Sequence, residues 1–148
     1  MSDTVIAAQM YTVRDFTQTR AGIADSLKRV RTLGYTAMQT SAFGPVDPKE
    51  LKAMADGEGL AICATHESFE RMRDDTQAVI DEHRIWECTY PAIGGLPESY
   101  HESGEDGFRK FAQDASQVAR KLADAGLTIA YHNHSFELEK IHSTTALH

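Results

Sequence analysis

No apolar run in this sequence approaches the roughly 20 residues that cross a bilayer, so no membrane-spanning helix is expected. Basic charge is in short supply: 15 Lys and Arg stand against 22 Asp and Glu, which leaves a net charge of -7 and a pI near 5.4. Such a chain lacks the electrostatic footprint of a nucleic-acid binder and is repelled by anionic lipid, so neither is an expected partner. Cysteine is scarce: Cys63 and Cys88 have no CxxC spacing, which points to buried reduced thiols. The opening Met1-Ser2-Asp3-Thr4 puts an acid where a secretory leader carries bases, and the apolar stretch 5–8 is too short for a leader core. A cytoplasmic location is therefore expected. Also missing are the P-loop, GxGxxG, GxSxG and HExxH strings.

What is present suits one ordinary domain. The chain has 148 residues, 41% hydrophobic and 25% charged, close to globular averages, so disorder is not expected. Short apolar runs alternate with stretches of helical spacing. Residues 5–11 read as a strand, and Ile23, Leu27 and Val30 then recur at helical intervals. Residues 36–41 read as a second strand. Asp47-Pro48-Lys49-Glu50 is a helix start, with a side-chain cap, a proline whose missing N–H would be orphaned anyway, and an acid near the positive end. Residues 60–65 read as a third strand, and Phe69, Met72, Val79 and Ile80 mark one helix running to His83. Residues 85–91 read as a fourth strand, and 92–107, with four glycines and Glu98, Glu102, Glu105 and Asp106, as a solvated loop. Phe108, Phe111, Ala115, Val118 and Leu122 give the clearest helix, and residues 127–132 the fifth strand. Gly34, Gly59 and Gly126 sit where helix gives way to strand, as left-handed terminators do. A regular βα repeat implies parallel strands with right-handed crossovers, in a closed barrel or an open doubly wound sheet.

Strand alternation then places the polar residues. Thr128, Ala130 and His132 share one face of the fifth strand, and Leu127, Ile129 and Tyr131 the other, which suits a helix layer. On the third strand Ile62, Ala64 and His66 are expected together, opposite Ala61, Cys63 and Thr65. Gln9 and Tyr11 share a face on the first strand, as do Gln39 and Ser41 on the second. Polar groups thus gather at the C-terminal strand ends, where parallel α/β sheets bind ligands. The string Tyr131-His132-Asn133-His134-Ser135-Phe136-Glu137 holds two imidazoles and a carboxylate at a strand exit. They could hold Zn, Mn or Fe if the strand continues past His132, shuttle protons, or form a hydrogen-bonded loop pair. His66 could serve a site or be a structural hydrogen-bonder, and Gln9 with Tyr11 could bind a polyhydroxylated ligand or fill the barrel floor. His83, His101 and His142 sit among polar residues and are expected in solvent.

These residues carry a family likeness. Gln9-Met10-Tyr11-Thr12-Val13-Arg14-Asp15 resembles the Q-L-Y-S-V-R-D opening of sugar phosphate isomerase/epimerase proteins of the xylose isomerase-like barrel superfamily. Leu33-Gly34-Tyr35, Ala64-Thr65-His66 and, above all, Ala130-Tyr131-His132-Asn133-His134-Ser135-Phe136-Glu137 resemble it in the same order. The resemblance implies an α/β fold of the (β/α) TIM barrel type, with residues 1–148 forming one partial barrel domain of about five βα units. It implies a divalent metal (Mn, Zn, Mg or Fe), which a chain this short could also lack. In such enzymes a protein base removes the proton beside a carbonyl and an enediolate forms, giving isomerisation or epimerisation. The superfamily also holds dehydratases and a DNA-repair branch, and the charge of -7 argues against the latter.

His132 falls where many relatives place a metal-binding glutamate, and His66 where they contact substrate. The expected roles are metal for His132, catalysis for His66, His134 and Glu137, and substrate contact for Gln9, Tyr11, Gln39 and Asn133. A complete barrel takes about 250 residues, so further ligands and a catalytic carboxylate are expected beyond His148. A piece of a barrel, a short form that self-associates into a homo-oligomer, and a non-catalytic sugar-binding or structural half-barrel all remain open. The expected partner in each enzymatic case is a small sugar, sugar phosphate or keto-polyol.

Overall fold

The computed structural model describes residues 5–140 and 145–146; His142 lies outside them. Five strands form one sheet in the order β1-β2-β3-β4-β5, every neighbouring pair parallel. They are β1 (Ala8–Gln9), β2 (Ala37–Thr40), β3 (Ala61–Glu67), β4 (Pro91–Ile93) and β5 (Ala130–Tyr131). The helices between them are α1 (Arg20–Thr32), α2 (Pro48–Gly57), α3 (Phe69–Asp74), α4 (Thr76–Trp86), α5 (Glu98–His101) and α6 (Gly104–Asp124). Sequential parallel order with crossovers of one hand puts the helices on one face. The other face is left for the polar strand residues, as in one side of an opened barrel.

Two contiguous clusters make the core. Ile23, Leu27 and Val30 of α1 pack with Leu51 and Ala55 of α2, Met38, Ile62 and Trp86. Phe69 and Met72 of α3 pack with Val79, Ile80, Ile93, Tyr100, Val118, Leu122 and Leu127. Each fully buried aliphatic side chain here contributes roughly 1.5–3 kcal/mol. The start of α2 is as its sequence requires: Asp47 Oδ1 accepts from the amides of Lys49 at 2.9 Å and Glu50 at 3.2 Å, with Pro48 at the first helical position. Gly34, Gly59 and Gly126 all have positive φ.

Several elements fall elsewhere than the sequence suggests. β1 is only two residues long, because Gln9 Oε1 accepts from Tyr11 N at 3.1 Å and turns Met10–Phe16 into 3-10 helix. The expected single helix before His83 is two, α3 and α4, broken at Asp75. The expected strand at 85–91 is wrong: α4 continues through Ile85 and Trp86, and Glu87 ends it in the left-handed conformation (φ 55°), taking the place of the missing glycine. β4 therefore begins only at Pro91. The expected loop 92–107 contains the rest of β4, all of α5 and the first turn of α6, with Glu98, Glu105 and Asp106 near helix N-termini, where acids are favoured. His83 is buried rather than solvated, and Cys63 is exposed, whereas Cys88 is buried as expected; both thiols are free.

The face assignment of β3 also needs correction. Met38 and Gln39 of β2 pair with Ile62 and Ala64, so β3 carries one extra residue at this point. The bulge puts Ile62 and Thr65, three apart, into the helix-facing core, while Cys63 is exposed and His66 emerges at the polar rim. The expected fifth strand shortens to Ala130–Tyr131, but the stretch 127–132 alternates as expected: Leu127, Ile129 and Tyr131 pack against the core, and Thr128, Ala130 and His132 are exposed.

Candidate active site

The C-terminal ends of β1, β3, β4 and β5 surround a hollow of about 200 Å³ lined by Gln9, Tyr11, His66, Gly94, His132 and His134. Parallel pairing brings these residues, distant in sequence, to one rim. Gln9 ends β1, and its side-chain amide donates to Gln39 Oε1 on β2. Tyr11 stands half-exposed on the turn that Gln9 starts, with the Arg14 guanidinium 4.4 Å above its ring. His66 leaves β3 with Nδ1 at 2.9 Å from Ser41 Oγ. Its ring meets that of His132 edge-on, with centroids 5.0 Å apart, and His132 lies 4.9 Å from His134. Gly94 and Gly95 lie against these rings: a Cβ at Gly94 would sit 3.4 Å from His66 Nδ1, and one at Gly95 would sit 3.3 Å from His134 Cε1.

Of the eight residues singled out in the sequence, Gln9, Tyr11, His66, His132 and His134 line the hollow, and Gln39 touches it through Gln9. Two do not line it. Asn133 is exposed and its amide donates to His134 O at 3.2 Å. Glu137 is buried, 1% exposed, and its carboxylate accepts from Tyr131 Oη at 2.5 Å and His134 N at 2.7 Å. It braces the loop that carries His134.

The electrostatics favour the neutral form of His66. Burial pushes the pKa of His66 down, and the neighbouring His132 and His134 push it further the same way. Burial and the Glu137 carboxylate raise the Tyr131 hydroxyl, which stays a donor. A second hollow of about 540 Å³ adjoins the first across His66, walled by Ser41, Phe43 and Trp86 and by the Glu67–Arg71–Glu82 ion pairs at 2.7 and 2.6 Å. Burial raises the Glu67 pKa against the opposing pull of Arg71.

The described residues do not by themselves make a metal centre. Among the described residues no three His, Cys, Asp or Glu side chains are placed to hold one ion. β5 ends at Tyr131, so His132 and His134 do not extend from a continued strand, and the expected carboxylate is committed to Tyr131 and His134 N.

Sequence reasoning missed three participants. Ser41 was legible only as a strand-face neighbour of Gln39, because its partner lies 25 residues away. Gly94 was hidden by the misplaced fourth strand. The Glu67–Arg71 pair has the i,i+4 spacing that could have revealed it.

No protein-family model and no curated protein matches the sequence. Solved structures do match. A sugar phosphate isomerase/epimerase from Parabacteroides distasonis aligns with a TM-score of 0.72 at 22% identity, over 95% of this chain and 56% of that one. A second protein of the same description and organism aligns with a TM-score of 0.73 at 19% identity, over 92% and 57%. An AP endonuclease, family 2, from Brucella melitensis aligns with a TM-score of 0.60 at 12% identity, over 86% and 54%. The chain thus spans a little over half the length of these proteins. At such identities the likeness is one of architecture: the chain has the fold of part of a TIM barrel, as these proteins do.

Proposed function

We propose that this chain carries part of the active site of an isomerase or epimerase acting on a sugar, sugar phosphate or keto-polyol. One observation carries the reading: amide, phenol and imidazole side chains from separate strands line one hollow at the C-terminal rim of a parallel sheet. Gln9, Gln39 and Tyr11 supply donors and acceptors suited to hydroxyl groups. In the proposed reaction His66 faces the carbonyl oxygen, and His134 takes the proton from the adjacent carbon. The electron pair of that C–H bond moves toward the carbonyl oxygen. Return of the proton to the former carbonyl carbon, with the neighbouring hydroxyl proton passing to the former carbonyl oxygen, gives an isomer; loss of the proton from His134 to solvent and delivery of a solvent proton to the opposite face of the original carbon gives an epimer. A positioned base of this kind contributes about 10²–10⁴-fold.

A divalent metal, if used, needs donors beyond the described residues, with His132 as the donor this chain offers. No step is assigned to it. The test is deuterium exchange: candidate aldoses, ketoses and sugar phosphates are incubated with the protein in deuterated water and analysed by mass spectrometry. Incorporation at the carbon beside the carbonyl, lost in His134→Ala, is the expected result. Sugar binding in calorimetry without incorporation favours a non-catalytic sugar-binding module instead, a reading supported by the commitment of Glu137 to bracing.

A further inference from the structure

The larger hollow, about 540 Å³, has a chemistry that the proposed reaction does not use. Part of its lining is apolar: Phe43, Leu51 and Trp86. Trp86 Nε1 donates to Pro48 O at 3.0 Å, so the indole has no donor left and offers the hollow ring surface alone. Glu67, Arg71 and Glu82 supply the charge. Arg71 Nη1 donates to Glu67 Oε2 at 2.7 Å, and Nη2 donates to Glu82 Oε1 at 2.6 Å. One guanidinium thus serves two carboxylates, and one negative charge is left over.

Each carboxylate also keeps an unused oxygen. Among the described residues no donor reaches Glu67 Oε1 or Glu82 Oε2. Neither atom is sealed from solvent, because His66 Nε2 is the one fully buried side-chain polar atom without a partner among those residues. The two oxygens are therefore open acceptors on side chains that are otherwise largely covered, 11% and 22% exposed. Burial raises the Glu67 pKa in spite of Arg71, and Glu82 pushes it the same way. The shared guanidinium leaves that carboxylate short of positive partners.

The loop that walls the hollow is held open. Gln18 Nε2 donates to Ala42 O at 2.9 Å and to Arg14 O at 2.6 Å, and Gly44 N donates to Thr17 O at 2.9 Å. A Cβ at Gly44 would overlap Gln18 O, so the loop lies as close to the β1 side as backbone allows. A wall fixed before the ligand arrives lowers the cost of binding.

We propose that this hollow is a binding site for an organic ammonium. The N–H groups of the ligand donate to Glu67 Oε1 and Glu82 Oε2, and its carbon body lies against Phe43, Leu51 and Trp86. The residual charge selects a cation and repels an anion. Hydrogen bonds from a cation to carboxylate are roughly twice as strong as neutral ones, which favours an ammonium over a plain alcohol. The aromatic wall suits a carbon skeleton and attracts a cation placed over a ring face. A bare metal ion fits less well, since no three ligating side chains among the described residues are placed to hold one.

Trp86 is the one tryptophan of the sequence, so its fluorescence reads this hollow directly. The whole chain is titrated with cyclohexylammonium chloride and, as a neutral body of the same shape, with cyclohexanol; calorimetry on the same samples covers a silent fluorophore. Saturable binding of the ammonium is expected, with cyclohexanol about tenfold weaker or worse. Added salt and Glu82→Gln, which keeps the side-chain shape and an acceptor for Arg71, should each weaken the ammonium several-fold. Absence of saturable binding by both methods overturns the proposal, as does equal affinity for the alcohol or unchanged affinity in Glu82→Gln. Should Glu82→Gln fail to fold, the comparison of the two probes on the wild type still decides. A negative deuterium-exchange result leaves this measurement intact, so the two failures are separable.

Discussion

His83 shows how far the surroundings of a residue in sequence can mislead. It lies among charged neighbours on α4, yet it is 1% exposed. Its Nδ1–H donates to Val79 O at 2.7 Å and its Nε2 accepts from Thr65 Oγ1 at 2.8 Å, which joins α4 to β3. Burial favours the neutral ring, the form in which these two roles hold. His83→Ala removes the ring, leaves Thr65 without its partner and opens a cavity, so a loss of about 2–4 kcal/mol is expected in chemical denaturation. A change within 0.5 kcal/mol would mean the site collapses without cost. Glu137 is the second residue whose task depends on its fold partners. Glu137→Gln cannot accept at both oxygens, so it should cost about 1.5–3 kcal/mol and speed amide hydrogen exchange at His134. Unchanged exchange there would remove the bracing role.

At the scale of elements, helix ends were read most securely. Asp47 and Pro48 announce α2, and the glycines after α1, α2 and α6 announce the following strands, because caps and left-handed residues act within a few positions. The end of α4 was misread because Glu87 takes the left-handed position without being glycine. Its ion pair with Lys52, at 3.0 Å, is solvent-exposed and adds little. Glu87→Gly should therefore raise stability by about 0.5–1 kcal/mol, as a higher denaturation midpoint with unchanged slope. A drop in the midpoint would show that the Lys52 contact outweighs the backbone strain. The β3 bulge was illegible for a related reason: its extra residue is defined by pairing with β2, and no local pattern marks it.

For the whole molecule, the sheet is helix-covered on one side, and β1 and β5 each pair with one neighbour among the described residues. Its acid response follows from two histidines. Burial lowers the pKa of both His83 and His66 below the ordinary 6.5. The unfolded chain then binds more protons than the native one below about 6.5, so stability is full above that pH and falls as pH drops through it. Glu67, raised above 4.5, acts in the opposite sense at lower pH, since its buried carboxyl favours the protonated form. The melting temperature should thus fall between pH 7.5 and 6, with a smaller fall in His83→Gln. A flat profile in the wild type would contradict the burial of both rings.

The parallel βα order, the helix faces of α1, α2 and α6 and the strand-end gathering of Gln9, Tyr11, His66, His132 and His134 were legible in the sequence. The helix faces follow from periodicity and the helix ends from caps, both acting over a few residues, whereas Tyr11 reaches the rim on a 3-10 turn, His66 past a bulge and His134 on a loop. The sequence could not say that Glu137 turns inward to Tyr131, that Ser41 meets His66 or that Thr65 meets His83. Those contacts depend on crossovers and on a one-residue bulge, which bring together groups fixed only when strands pair and helices pack. Local chemistry chose which residues reach the rim; tertiary packing chose their partners, and with them each residue's protonation and role.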